Sequence, residues 1–208
     1  LGSDFLFVDI TSGAMGLTVW QGGVLTYQHD IHVGTLRLLE TFSANQRASR
    51  DYPDALAEYI HAVMRPVWKT IEQYHPSTLV FSGRESRIIA RLLGWPVIKH
   101  NMAICSPEKI NSLYDAVGRQ SSSHIRQAYG ITEAEADVVL PTIHIYREIL
   151  EHVPANKVVM MGTTFLESLS MYYGAGKTDD QAIVEMQIQN LKLTESIAEG
   201  YYYEPKHA

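Results

Sequence analysis

Short runs rich in β-branched and aromatic residues open the chain. Phe5–Ile10, Leu17–Trp20 and Val24–Tyr27 are separated by Thr11-Ser12-Gly13-Ala14 and by Gln21-Gly22-Gly23, a pattern that predicts three antiparallel strands joined by hairpin-type turns. After a segment carrying Gly34, Leu36, Leu38, Leu39 and Phe42, apolar residues recur at Leu56, Ile60, Val63, Val67 and Ile71, and that spacing predicts a helix over Asp54–Tyr74. Thr78–Phe81 reads as a buried strand that passes through Ser82-Gly83 into a helix from Arg84 to Leu93. Asn156–Met161 repeats the device through Gly162 into Phe165–Tyr173. The stretches between them, Pro107–Val117, Ser122–Tyr129 and Glu133–Val153, all read as helix, as does a final segment from Asp179 to Glu199. Gly174-Ala175-Gly176 is the expected hinge before that segment.

Three hairpin strands followed by two strands that each lead into a helix give the element order of a ribonuclease H-like α/β lobe. The expected sheet is mixed and five-stranded, with helices on both faces and a helical insertion. Phe5–Ile10 should lie between Leu17–Trp20 and Thr78–Phe81, with Asn156–Met161 outside the latter. Residues 1–174 would form the lobe, and residues 175–208 a C-terminal helix and the start of a further helical domain. A different α+β fold is the alternative that element order leaves open. In the ribonuclease H-like arrangement the Thr11–Gly13, Gly83 and Gly162 turns share one sheet edge, where open α/β sheets place ligands.

Composition narrows the picture. With 208 residues the chain can bury a full hydrophobic core. Its 17 Lys and Arg against 23 Asp and Glu give a net charge of -6, which argues against sequence-blind binding to nucleic acid or to an anionic membrane. No apolar run approaches the roughly 20 residues of a membrane span. The single cysteine, Cys105, forms no intrachain disulfide, so the expected setting is a reducing cytoplasm. The opening Leu1-Gly2-Ser3-Asp4 has neither a start methionine nor a signal-peptide pattern, and Glu204-Pro205 resembles the beginning of another helix, so sequence is expected beyond both ends.

Candidate chemistry gathers at strand ends. In Asp9-Ile10-Thr11-Ser12-Gly13, small residues let backbone N–H groups approach a phosphate, Thr11 and Ser12 can donate hydroxyls, and Asp9 can hold a divalent cation or its water. An ordinary polar hairpin turn reads the same way. Ser82-Gly83 opens a helix whose first amides suit an anion. Arg84, Arg87 and Arg91 lie on one face of that helix, matching either a polyanion or a solvated surface. Arg37 and Glu40 fit an i, i+3 pair or a cleft-facing role. His29 and His32 amount to half a metal site with no partner to complete it, and Cys105 has no histidine placed by motif to activate it.

Taken in order, Asp9-Ile10-Thr11-Ser12-Gly13, then Val33-Gly34-Thr35-Leu36-Arg37-Leu38-Leu39-Glu40, then Leu79-Val80-Phe81-Ser82-Gly83 resemble the second lobe of the exopolyphosphatase and guanosine pentaphosphate phosphohydrolase (Ppx/GppA) family. Ala136-Asp137-Val138-Val139-Leu140-Pro141 resembles the family's Ala-Asp-Val-Ile-Leu-Pro stretch, and Val158–Leu169 falls at its strand, glycine turn and helix. Tyr201–Ala208 looks like the start of the family's downstream helical domain. The resemblance implies the actin-like ATPase superfamily, in which two ribonuclease H-like lobes close over phosphate, usually with magnesium. This chain would be one lobe. The first phosphate loop and the catalytic glutamate would lie upstream of Leu1, and the missing lobe and the downstream domain would be its partners within one chain. The lobe face left bare is also available for self-association into a homodimer.

The departures are as informative as the matches. Where the family reads Asp-Ile-Gly-Gly-Gly-Ser-Thr-Glu, this chain has Asp9-Ile10-Thr11-Ser12-Gly13-Ala14-Met15-Gly16, and Gly-Thr-Gly-Gly-Thr becomes Phe81-Ser82-Gly83-Arg84-Glu85. The resemblance implies a parent protein that hydrolyses inorganic polyphosphate or guanosine pentaphosphate with Mg2+. Asp9 and Thr11–Gly13 would be its second phosphate cradle, and Gly34, Arg37, Glu40, Ser82, Gly83, Arg84 and Gly162 its cleft walls. The altered loops support the alternative, a non-catalytic sensor of polyphosphate or of an alarmone nucleotide. In either case the single lobe should be inactive alone.

Overall fold

The computed structural model describes residues 4–94 and 102–162. Strands β1 (Phe5–Ile10), β2 (Met15–Gln21) and β3 (Val24–Ile31) are followed by helices α1 (Thr35–Thr41), α2 (Ala44–Arg47) and α3 (Tyr52–Glu72). Then come β4 (Thr78–Ser82), α4 (Arg84–Leu92), β5 (Met102–Cys105), α5 (Pro107–Val117), α6 (Ser122–Tyr129), α7 (Glu133–His152) and β6 (Lys157–Met161). The expected helix at 165–173, the hinge at 174–176, the helix at 179–199 and Tyr201–Tyr203 lie outside the described residues.

The strands form one mixed sheet in the order β3-β2-β1-β4-β6-β5. β1 pairs antiparallel with β2 and parallel with β4, and β4 pairs parallel with β6, so β1, β4 and β6 all point the same way. This is the ribonuclease H-like arrangement expected from element order, with β1 inside the sheet. The strand number differs. A sixth strand, β5, pairs antiparallel with β6 through Ala103↔Met160 and Ile104↔Val159, so the insertion is not wholly helical and β6 is not the sheet edge. Met-Ala-Ile-Cys is too short to display a period of two and carries a single β-branched residue, so nothing local marks it as strand. Tertiary pairing decides it.

Burial follows the pattern that predicted the elements, except that Met64 and not the expected Val63 fills the core position in α3, where Val63 is half-buried. β1 alternates, with Leu6, Val8 and Ile10 inside, whereas all five positions of β4 are buried, as expected of a strand covered on both faces. α3 buries Leu56, Ile60, Met64, Val67 and Ile71 at steps of three and four. α7 starts at a capping box between Thr132 and Glu135 and packs against α1, α3, α4, α5 and α6, which explains why more than one of its faces is apolar. Among the described residues no helix is long and apolar enough to cross a membrane.

Candidate functional site

Because β1, β4 and β6 are mutually parallel, the turns at their C-terminal ends leave from one edge of the sheet. Asp9 stands in register with Ser82, and Ser82 with Met161, so Asp9, Ser82 and the residue before Gly162 form a row across three strands. Gly83 has φ +108, and a side-chain carbon there would stand 2.5 Å from the Ile10 carbonyl oxygen, so only glycine lets the β4 turn close onto the end of β1. Gly34 meets the same edge from the other side: a Cβ on it would lie 2.4 Å from the Ser12 carbonyl oxygen. Four of the glycine-bearing segments singled out by sequence thus converge on one place.

The first turn is held by its own side chain. The Thr11 hydroxyl donates to the Ala14 carbonyl at 2.9 Å and accepts from the Ala14 N–H at 3.1 Å, so the hydroxyl expected to meet a phosphate is already engaged. The carbonyls of this turn cap α1: Thr35 N–H donates to Thr11, and Leu36 and Arg37 N–H both donate to Ser12. That leaves the Ser12 and Gly13 amides without a hydrogen bond among the described residues. Nothing lies within 4 Å of a Cβ built on Gly13, so this part of the turn faces open space.

The second turn carries a group the sequence reading missed. Glu85 is 3% exposed, lies in the first turn of α4 and accepts a hydrogen bond from the Thr35 hydroxyl at 3.0 Å. The amide end of a helix favours a carboxylate, so the position expected to hold a bound anion has a negative group of the chain's own beside it. The signal was present in the pattern. Glu85 sits three and four residues before Ile88 and Ile89, which are both buried, and so belongs to the inward face of α4. The three arginines lie on the outward face. Arg91 pairs with Glu135 at 2.5 Å, holding that carboxyl down at about 2, and Arg87 donates to the Gly162 carbonyl. Arg84 has no partner among the described residues and stands at the start of α4. On α1, Arg37 is half-buried and Glu40 exposed.

Asp9 is half-buried between these turns. Burial pushes its carboxyl above the ordinary range, the Ser82 hydroxyl's hydrogen bond opposes the shift, and the negative charges of Glu85 and Asp30 reinforce it. A bare phosphate would meet repulsion at this floor. Two carboxyl groups with the hydroxyls of Ser82 and Thr35 make an all-oxygen set of the kind that suits a hard divalent cation. Elsewhere, His29 and His32 are both exposed, and burial pushes the Cys105 thiol up to about 12, with Glu108 adding to the shift, so this cysteine is inert.

Several solved structures share this architecture. An exopolyphosphatase from Cytophaga hutchinsonii superposes with a TM-score of 0.70 at 18% identity over 82% of this chain and 57% of that one. The fold is that of the Ppx/GppA phosphatases. The Aquifex aeolicus Ppx/GppA family member matches with a TM-score of 0.66 at 15% identity, covering 85% of this chain and 58% of its own. An exopolyphosphatase-like protein matches at 0.68 and 16%, covering 84% and 60%. This chain therefore spans under two thirds of the length of each Ppx/GppA structure. No protein-family profile matches the sequence. No curated protein matches it by sequence.

Proposed function

We propose that this chain is the second lobe of a Ppx/GppA-type phosphoanhydride hydrolase, and that the parent protein releases phosphate from inorganic polyphosphate or guanosine pentaphosphate. The observation that carries the reading is the meeting of the Thr11–Gly13, Gly83 and Gly162 turns on one sheet edge with Asp9 at its floor. Residues 1–174 would be the lobe, and residues 175–208 the approach to a helical domain.

The free Ser12 and Gly13 amides would donate to phosphoryl oxygens, and Arg84 would add a positive charge at the mouth. Asp9, with Glu85 behind it, would hold Mg2+. When bound, the ion offsets the carboxyl charges and polarises a phosphoryl oxygen. Ser82 and Thr35 would keep the two carboxyl groups oriented by the hydrogen bonds they already make. The base that activates water would come from a first lobe, which this reading places outside the chain. In-line transfer needs all these groups in place together, since misplacement by about 1 Å costs roughly a hundredfold. The isolated chain should therefore release no phosphate above a no-protein control. The complete parent should hydrolyse polyphosphate or guanosine pentaphosphate and lose that activity in Asp9→Ala. Robust hydrolysis by the lobe alone would reject the assignment.

A second reading, a non-catalytic sensor of the same ligands, is favoured by the engaged Thr11 hydroxyl and by Glu85 in the first turn of α4. Magnesium-dependent binding by the parent without turnover would select it.

A further inference from the structure

Among the described residues, one group of three metal-ligating side chains converges: His61 of α3 with Glu148 and His152 of α7, whose ligand atoms all lie within 4.8 Å of one another. Glu72 ends α3 shortly before β4 begins, and His152 ends α7 shortly before β6 begins. The group therefore lies toward the edge where the parallel strands start, opposite the glycine turns. It takes no part in the reading of that cleft. Sequence offers no warning of it, because the two histidines lie 91 positions apart on separate helices.

The distances suit a small cation. His61 Nδ1 is 3.0 Å and His152 Nε2 3.3 Å from the same oxygen, Glu148 Oε1. A tetrahedral Zn2+ with bonds of about 2.0–2.1 Å holds its ligand atoms about 3.3 Å apart, so both separations to Glu148 Oε1 already approximate edges of such a site. Proton arithmetic points the same way. His152 also contacts Glu72 Oε1 through Nδ1 at 3.0 Å, and a neutral imidazole has one N–H to give. If that proton goes to Glu72, Nε2 turns a lone pair toward a carboxylate oxygen. The contact is favourable only with a second proton on the ring or a cation in between.

The surroundings are those of a supported metal site. The Glu72 contact to the distal nitrogen of His152 is the usual carboxylate–histidine support. Trp68 donates to Glu148 Oε1 at 2.7 Å and stacks on the His152 ring at 4.6 Å, fixing both groups. Glu148 is 8% exposed, whereas the His61 side chain is 51% exposed, so an ion can enter from solvent and keep an open fourth position for water. Two imidazoles and one carboxylate select Zn2+ over the hard cations Mg2+ and Ca2+.

We propose that His61, Glu148 and His152 form a Zn2+ site that braces α3 against α7. The test uses the full chain, free of any histidine tag and stripped with a chelator, titrated with Zn2+ by calorimetry and by tryptophan fluorescence, since Trp68 touches two of the ligands. One Zn2+ should bind per chain, survive a large excess of Mg2+ and raise the melting temperature. His61→Ala and His152→Ala should each weaken binding at least about tenfold, and Glu72→Gln by up to about tenfold. His61 is exposed enough for its variant to keep the metal-free fold, which circular dichroism would verify. A His29→Ala, His32→Ala double variant should bind as the parent does. Absence of saturable binding, or equal affinity in His61→Ala and the unaltered chain, would overturn the proposal.

Discussion

The two glycine turns at the end of the sheet look alike in sequence and behave differently in three dimensions. The Thr11–Gly13 turn is closed by its own threonine, caps α1 with its carbonyls and presents two unused amides to open space. The Gly83 turn presses on the Ile10 carbonyl with φ +108, and behind it sits a buried carboxyl tied to Thr35. The lesson is a division of labour. On the proposed function, the first turn would be the surface on which a phosphate lands, and the second a structural joint whose buried carboxyl would call for a cation.

Gly83→Ala should have the largest effect. Its φ and ψ of 108 and 173 lie in a region open almost only to glycine, and the added carbon meets backbone, so we expect a loss of about 2–4 kcal/mol by urea denaturation. Gly13→Ala, with ordinary φ and open space around it, should stay within about 0.5 kcal/mol. Equal costs would break the comparison. Glu85→Ala should come next, at about 1–3 kcal/mol, because it empties a buried position and strands the Thr35 hydroxyl. Glu85→Gln, which keeps an acceptor for Thr35 and removes the charge, should recover most of that loss. Thr11→Val should cost about 1 kcal/mol from the lost turn bonds, measured in the same way. It should leave phosphate affinity unchanged, since the hydroxyl points into the turn.

The smallest effect has the opposite sign. The raised carboxyl of Asp9 means that the native protein holds this proton at a pH where the unfolded chain has released it. The stability it contributes is fully present below the unfolded carboxyl value of about 3.9 and is lost as pH rises through the higher native value. Asp9→Asn should remove that slope and melt slightly higher than the parent at neutral pH without metal. Mg2+ should then raise the melting temperature of the parent and not of the variant.

Much of the fold was legible because its signals are local. Runs of β-branched and aromatic residues between turn signals mark β1 to β3, the steps of three and four mark α3, and the repeated strand, glycine and helix order orients β4 and β6. β5 was not legible, since four residues become strand only by pairing with β6. For the site, the converging glycine segments followed from strand order, whereas the use of each polar group did not. Whether Thr11 turns inward or outward depends on Ala14, and whether the arginine stripe is available depends on Glu135 and Gly162, distant in sequence. Glu85 was legible in principle from its spacing to Ile88 and Ile89, but a carboxylate in the first turn of a helix is equally at home in solvent, and its burial depends on Thr35, distant in sequence. The His61, Glu148 and His152 cluster exists only through the packing of α3 on α7.

The claim that this edge is a cation-dependent phosphate cleft is tested most directly by following the amide resonances of the chain while tripolyphosphate is added with and without Mg2+. Shifts centred on Ser12 and Gly13 that need Mg2+ and vanish in Asp9→Ala are expected. Shifts confined to the Arg84, Arg87 and Arg91 face, or shifts at the turn that persist without Mg2+ and in Asp9→Ala, would contradict it.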